Sequence, residues 1–199
     1  MNFFPKVIFR ALVLPFLLLG SCDNGEEPAK ANNHIIFNGK KYTINNARLT
    51  YRDDADLRHL DPNIGVTHYH QSMRFSDGII DPKNDFYIQN GSFKLTFSVF
   101  TTMLDNSREF TGGTFFPVLP QDFFGSKAPL DKSFYTFFTL RIDDDGNGVF
   151  DQDETWYGLE GEITIAGSNE NFSVIINTSE TDTNKSADAI YEGDFEVVK

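Results

Sequence analysis

Apolar residues recur at every second position through most of the chain beyond residue 34, and no segment holds a helical three-and-four spacing for long. Residues 93–102 show the pattern best. Phe93, Leu95, Phe97 and Val99 share one face of an extended chain, opposite Lys94, Thr96 and Ser98. That alternation predicts a strand with its first set in the core. Residues 134–142 repeat it with Phe134, Phe138, Leu140 and Ile142 on one face. Residues 156–165 do so with Tyr157, Leu159, Ile163 and Ile165. In residues 65–75, Tyr69, Met73 and Phe75 oppose His68, His70 and Arg74. Residues 47–51, 172–176 and 189–198 read as further strands. The strongest local signal comes first: residues 34–37 and 40–44 are extended runs joined by Asn38-Gly39. Both central positions of a type I′ hairpin need positive φ, which Asn and Gly supply.

Short strands joined by polar turns predict an all-β domain over residues 34–199, a single antiparallel β-sandwich or open barrel. Of the 21 Phe, only four lie in the first 21 residues. The rest suit the half-buried surface of a sheet. No repeat of fixed period is visible. Residues 117–131 are a long connection rich in Phe, Pro and Gly, a candidate surface feature.

The first 21 residues read as a processing segment. Lys6 and Arg10 lead into an apolar run over residues 11–20, too short to span a bilayer as a lasting helix. Leu19-Gly20-Ser21-Cys22 then resembles the bacterial lipobox. The resemblance implies diacylglyceryl transfer to Cys22, cleavage before it and acylation of the new amino group. Cys22 is the only cysteine, so it forms no internal disulfide. Several acyl chains give stable membrane attachment. Residues 22–33 are then the lipidated cysteine and a polar, flexible tether. Asp23, Glu26 and Glu27, just behind the cysteine, resemble the surface-export signal of lipoproteins of the Bacteroidota. The expected location is the outer membrane or cell surface, with the membrane as partner through Cys22.

Loss of Lys6 and Arg10 with the leader takes the net charge from −12 to −14. Nucleic acid is excluded as a partner, because phosphate contacts need clustered Lys and Arg. The same field favours cations.

The sharpest chemical statement is the run D-D-D-G-N-G-V-F-D-Q-D-E over residues 143–154, which fits the EF-hand calcium loop position by position. Asp143, Asp145 and Asn147 take positions 1, 3 and 5, Gly148 the sharp turn at 6, and Asp151 and Glu154 positions 9 and 12. Val149, at 7, offers its backbone carbonyl. Calcium takes six to eight oxygens, and carboxylates at alternate residues converge when the backbone curls around one point. The plainer reading is a solvated acidic turn, since Asp, Asn and Gly are common turn residues. Without an ion, however, six acidic side chains repel one another over this short span. The flanks are strand-like, whereas a regulatory EF-hand needs a pair of helices that open. The ligand set therefore carries over and the sensor mechanism does not. What is expected is a Ca2+ clip that orders a hairpin connection.

Other chemistry is thinner. His68 and His70 share a strand face, and with His59 they are candidate zinc or copper ligands; a solvent-facing or stacked face is the alternative. Asp61, Asp77, Asp81 and Asp85 lie in turn contexts. There is no G-x-S-x-G elbow, and a lipidated Cys22 is no thiol nucleophile. Tyr42, Tyr51, Tyr69, Trp156 and Tyr157 are either a sugar-stacking platform or core residues of the sheet.

A looser likeness covers most of residues 34–199. Phe110-Thr111-Gly112-Gly113-Thr114-Phe115, with residues 161–165, 172–175 and 191–195, resembles small β-rich lipoproteins of the Bacteroidota. It implies an all-β fold and no particular activity. The function expected is a lipid-anchored, calcium-stabilised, non-catalytic module that binds or scaffolds a glycan or protein ligand. A metal-dependent enzyme built on His59, His68 and His70, or a purely structural envelope lipoprotein, is the alternative.

Overall fold

The computed structural model describes residues 32–55, 68–81, 88–102, 112–118, 133–168, 171–180 and 183–198; at 52–55, 102, 137 and 168 it describes the backbone alone. The leader, Cys22, the tether to residue 31, His59, Asp61, Asp85 and most of the Phe-rich connection lie outside the described residues.

The fold is all-β, and no helix occurs among the described residues. In chain order the strands are β1 (His34–Phe37), β2 (Lys40–Thr43), β3 (Asn46–Ala55), β4 (His68–Ser76), β5 (Ile79–Ile80), β6 (Ile88–Gln89), β7 (Phe93–Thr102), β8 (Gly113–Pro117), β9 (Phe134–Ile142), β10 (Thr155–Tyr157), β11 (Glu160–Ser168), β12 (Asn171–Ser179), β13 (Ser186–Asp194) and β14 (Glu196–Val198). Twelve form one sheet in the order β14-β3-β4-β7-β9-β8-β11-β12-β13-β1-β2, with β10 on β9; β5 and β6 form a separate ribbon.

Connectivity forces this sheet to curl. β2 lies at one end of the order and β3 next to the other end, yet only Ile44 and Asn45 join them. Likewise only Phe195 separates β13 from β14. The two ends must therefore lie close together, and the sheet closes into an open barrel around its concave face. Most pairings are antiparallel, as the hairpin pattern predicts. Two are parallel: β14 on β3, and the short contact of β8 with β9 that joins the two halves.

The concave face holds the core. Phe93, Leu95, Phe97 and Val99 are fully buried, as their alternation predicts. The β1–β2 hairpin turns at Asn38 and Gly39, with φ of 49° and 79°, as the I′ reading requires.

Two predicted faces are corrected. Ser98 lies opposite Thr136 but Thr96 opposite Thr139, so β9 carries one extra residue between them. A bulge of this kind reverses the alternation beyond it. Tyr135 and Phe138 both enter the core as a result. Phe134 passes to the convex face, opposite Phe100, which in turn lies opposite His70. The second correction concerns residues 156–165, which are two strands. β10 pairs with β9 in one half, and β11 with β8 and β12 in the other. The chain crosses at Gly158 and Leu159. There a Cβ on Gly158 would come within 2.7 Å of the Phe138 ring. Trp156 therefore points inward, and Tyr157 is half exposed rather than aligned with Ile163 and Ile165.

The halves differ outside the barrel. β12 alternates buried and exposed residues along its length. β4 is buried on both faces, its convex side including the polar His68, Ser72, Arg74 and Ser76. The β5–β6 ribbon contributes to that cover. Arg48, on the convex face of β3, donates to the Ile80 carbonyl (3.0 Å), the Asp81 carbonyl (2.7 Å) and Glu196 Oε2 (2.7 Å).

Candidate metal centre

The loop of residues 143–154 closes the hairpin of β9 and β10, with Ile142 N–H bonded to the Glu154 carbonyl at its neck. Strands flank it on both sides, as expected, and Thr155 N–H donates to the Gln152 carbonyl in a single turn before β10.

Its shape comes from side chains bonding to their own backbone. Gly148 N–H donates to Asp143 Oδ2 (2.9 Å), Asn147 N–H to Asp145 Oδ1 (3.0 Å) and Val149 N–H to Asn147 Oδ1 (2.7 Å). Each bond folds the chain back toward one centre. Gly146 and Gly148 take φ of 74° and 79°, values that cost a glycine little. Glu154 closes the ring with both oxygens: Oε1 accepts from Asp144 N–H (2.8 Å) and Oε2 from Asp151 N–H (2.9 Å).

Asp143, Asp145 and Glu154 thereby bring one carboxylate oxygen each within 4.8 Å of the others, the one group of three or more potential ligands of its kind among the described residues. Asp143 Oδ1 is buried and makes no hydrogen bond. A buried anionic oxygen without a partner is costly, and a cation beside it removes that cost. The donor set is oxygen throughout, which suits a hard ion such as calcium and not a soft one. Asp151 does not join the carboxylate group; position 9 of such a loop often acts through water. Asn147 Oδ1 accepts from Val149 N–H, and its Nδ2 donates to Asp145 Oδ2 (2.9 Å).

The loop is fastened to the barrel. Asp143 N–H donates to the Ser92 carbonyl (2.9 Å). Ser92 is itself held by Asp77, which accepts from its N–H (2.9 Å) and its hydroxyl (2.5 Å), and also from Phe93 N–H (3.1 Å). The sequence marked Asp77 only as a turn residue. Its role as a clamp arises because the turn after β4 folds back on the start of β7. On another side, Lys40 of the β1–β2 hairpin lies 4.9 Å above the Tyr42 ring. Its ammonium is held above its usual pKa by the Tyr42 hydroxyl and, to a smaller degree, by Asp144 of the loop.

The histidines are placed differently. His70 stacks on Phe100 (4.4 Å, 5° between planes), Phe100 on Phe134 (4.8 Å, 9°), and His68 tilts against Phe134 at 5.5 Å. They belong to an aromatic row on the convex face, and no third ligand residue joins them among the described residues. The five aromatic residues considered for sugar stacking are dispersed. Tyr42 packs on Phe93, and Trp156 on Phe37 and Phe138. Only Tyr51 and Tyr69 meet, at 6.0 Å.

No protein-family model matches this chain, and no characterised protein or solved structure matches it either.

Proposed function

We propose that this protein is a lipid-anchored module of the outer membrane or cell surface whose β-domain is stabilised by Ca2+ in the 143–154 loop, and that it binds or scaffolds a glycan or protein ligand without catalysis. The observation that carries the calcium reading is the convergence of the Asp143, Asp145 and Glu154 oxygens around a buried, unbonded Asp143 Oδ1. The ion is a structural clip. It neutralises the loop's charge and locks the hairpin of β9 and β10, which the Ser92 and Asp77 bonds tie to β4 and β7. The lipobox resemblance at Cys22 and the tether behind it support the anchor.

Thermal melts with calcium and with chelator test the clip. An ion that binds only the folded chain stabilises it by mass action. Extracellular calcium modules have dissociation constants of roughly 10⁻⁴–10⁻³ M. At ten to a hundred times that concentration the gain is about 1.4–2.7 kcal/mol, or about 3–10 °C in Tm. Asp143→Ala and Glu154→Ala are expected to abolish the calcium-dependent increment. An identical melt in calcium and chelator would remove the reading. Cys22→Ala is expected to release the protein from membranes, and its retention there would contradict the anchor.

A further inference from the structure

The loop of residues 143–154 stands beside the turn between β6 and β7, and Asp143 N–H, donating to the Ser92 carbonyl (2.9 Å), joins the two. Between them lies a cleft of about 400 Å³, open to solvent and lined by Ile88, Gln89, Asn90, Gly91 and Gly148. That volume falls within the range of small-molecule sites, about 300–1,000 Å³. At Gly148 the space is empty: a Cβ built there would meet no atom within 4 Å. A ligand can therefore lie directly against the loop backbone.

The wall formed by the turn is firmly held. Asp77 accepts from the N–H groups of Ser92 and Phe93, and Gly91 packs so closely that a Cβ would come within 2.6 Å of Ile88 Cγ2 and 3.1 Å of Gly78 Cα. Gln89 and Asn90 are exposed. Each of their amides offers two N–H donors and a carbonyl acceptor. Two exposed aliphatic residues stand beside the lining: Ile79, opposite Gln89 in the ribbon, and Val149, next to Gly148. No charged side chain lines the cleft. The six acidic side chains of the adjoining loop outweigh even a bound Ca2+, so the local field repels anions. A cation would find no carboxylate in the lining to pair with. What fits is a neutral ligand with hydroxyls for the amides and C–H faces for the aliphatic side chains.

We propose that this cleft is the binding site for a neutral sugar residue of a glycan, held by the Gln89 and Asn90 amides against the Gly148 backbone. Amides on adjacent residues suit adjacent sugar hydroxyls, each of which both donates and accepts. The site rests on the binding role proposed above and gives that role a place and a ligand class. The 143–154 loop forms one wall, so an ion that orders the loop strengthens the site.

The test uses the full chain with glucose, galactose, mannose and N-acetylglucosamine, and with galacturonate as the charged counterpart of galactose. Ligand-observed saturation-transfer NMR and thermal melts read each sugar in calcium and in chelator. At least one neutral sugar is expected to give a signal in calcium, weaker in chelator, and galacturonate none. Gln89→Ala and Asn90→Gly each remove one amide from an exposed position, and glycine accepts the φ of 55° at residue 90. Both variants are expected to melt within about 2 °C of wild type and to weaken the sugar about tenfold. No signal from any neutral sugar in calcium would overturn the site, as would a signal that both variants keep or that galacturonate matches. Calcium stabilisation without any sugar signal would remove this site alone. A signal that depends on Gln89 and Asn90 but is equal in calcium and chelator, with identical melts, would keep the site and remove the calcium clip. The same equality with a melt that calcium does raise would overturn the loop's part in the site.

Discussion

β4 and β12 are strands of the same sheet and the same length, nine residues each, yet they live in different surroundings. β12 has one wet face, and its sequence shows it: Phe172, Val174 and Ile176 point inward while Asn171, Ile175 and Asn177 are exposed. β4 alternates just as regularly, with Tyr69, Met73 and Phe75 inward, but its outward residues are buried too. The difference teaches that period-two alternation reports which face meets the core and not whether the other face meets water. On β4 and its neighbour β3 the convex side is covered, and its polar groups must find partners there. Arg48 does so through two carbonyls and Glu196, being 1% exposed while the Glu196 side chain remains 60% exposed.

The largest effect should come from breaking that covered face. Arg48→Ala removes the Arg48 donor from the carbonyls of Ile80 and Asp81 and is expected to cost about 1–3 kcal/mol for each buried bond so lost, more than any other change considered. Urea denaturation measures it; a loss below about 1 kcal/mol would mean the face is wetter than its burial indicates. Next is the crossing between the halves. Gly158→Ala forces a methyl group against Phe138 and should cost about 1–3 kcal/mol, as overpacking does.

Alkaline titration compares the halves through one tyrosine in each. Burial raises the pKa of Tyr135 in the covered half, and burial followed by the Asp194 charge raises that of Tyr191 in the other. The unfolded chain releases these protons near pH 10 while the folded chain keeps them. Stability is therefore complete below about pH 10 and falls as pH rises beyond it. Tyr135→Phe should flatten that fall more than Tyr191→Phe. It should also leave neutral-pH stability nearly unchanged, because it loses only a 3.4 Å bond. Tyr191→Phe gives up a 2.6 Å bond to the Asp194 carbonyl and should lose stability at every pH. Smallest of all, Ile175→Thr and Ile190→Thr, which lie opposite each other on the bare face, should each change stability by no more than about 0.5 kcal/mol. A larger loss would show that this face is covered as well.

Much of the candidate metal centre is legible in the chain because it is local. Its candidate ligands lie within twelve consecutive residues, and the loop's shape follows from short side chains bonding amides two to five positions away. Gln71 lies at an inward position between Tyr69 and Met73, yet the burial of its amide without a hydrogen bond was not legible, because only the surrounding strands decide whether an inward amide finds a partner. The clamp of Asp77 on Ser92 was hidden for the same reason: it joins the end of β4 to the start of β7 across fifteen residues.

By itself the sequence determined the strand character, the Asn38-Gly39 hairpin, the inward face of β7 and the acidic loop, all products of spacing within one segment. Only the tertiary structure decided the parallel docking of β14, the reversal of Phe134 by the β9 bulge, the division of residues 156–165 between the two halves, and the covering of the convex face over β3 and β4. Each of these depends on which distant strand lies alongside. That choice is made by burial summed over the whole sheet, a quantity that no single window of the chain contains.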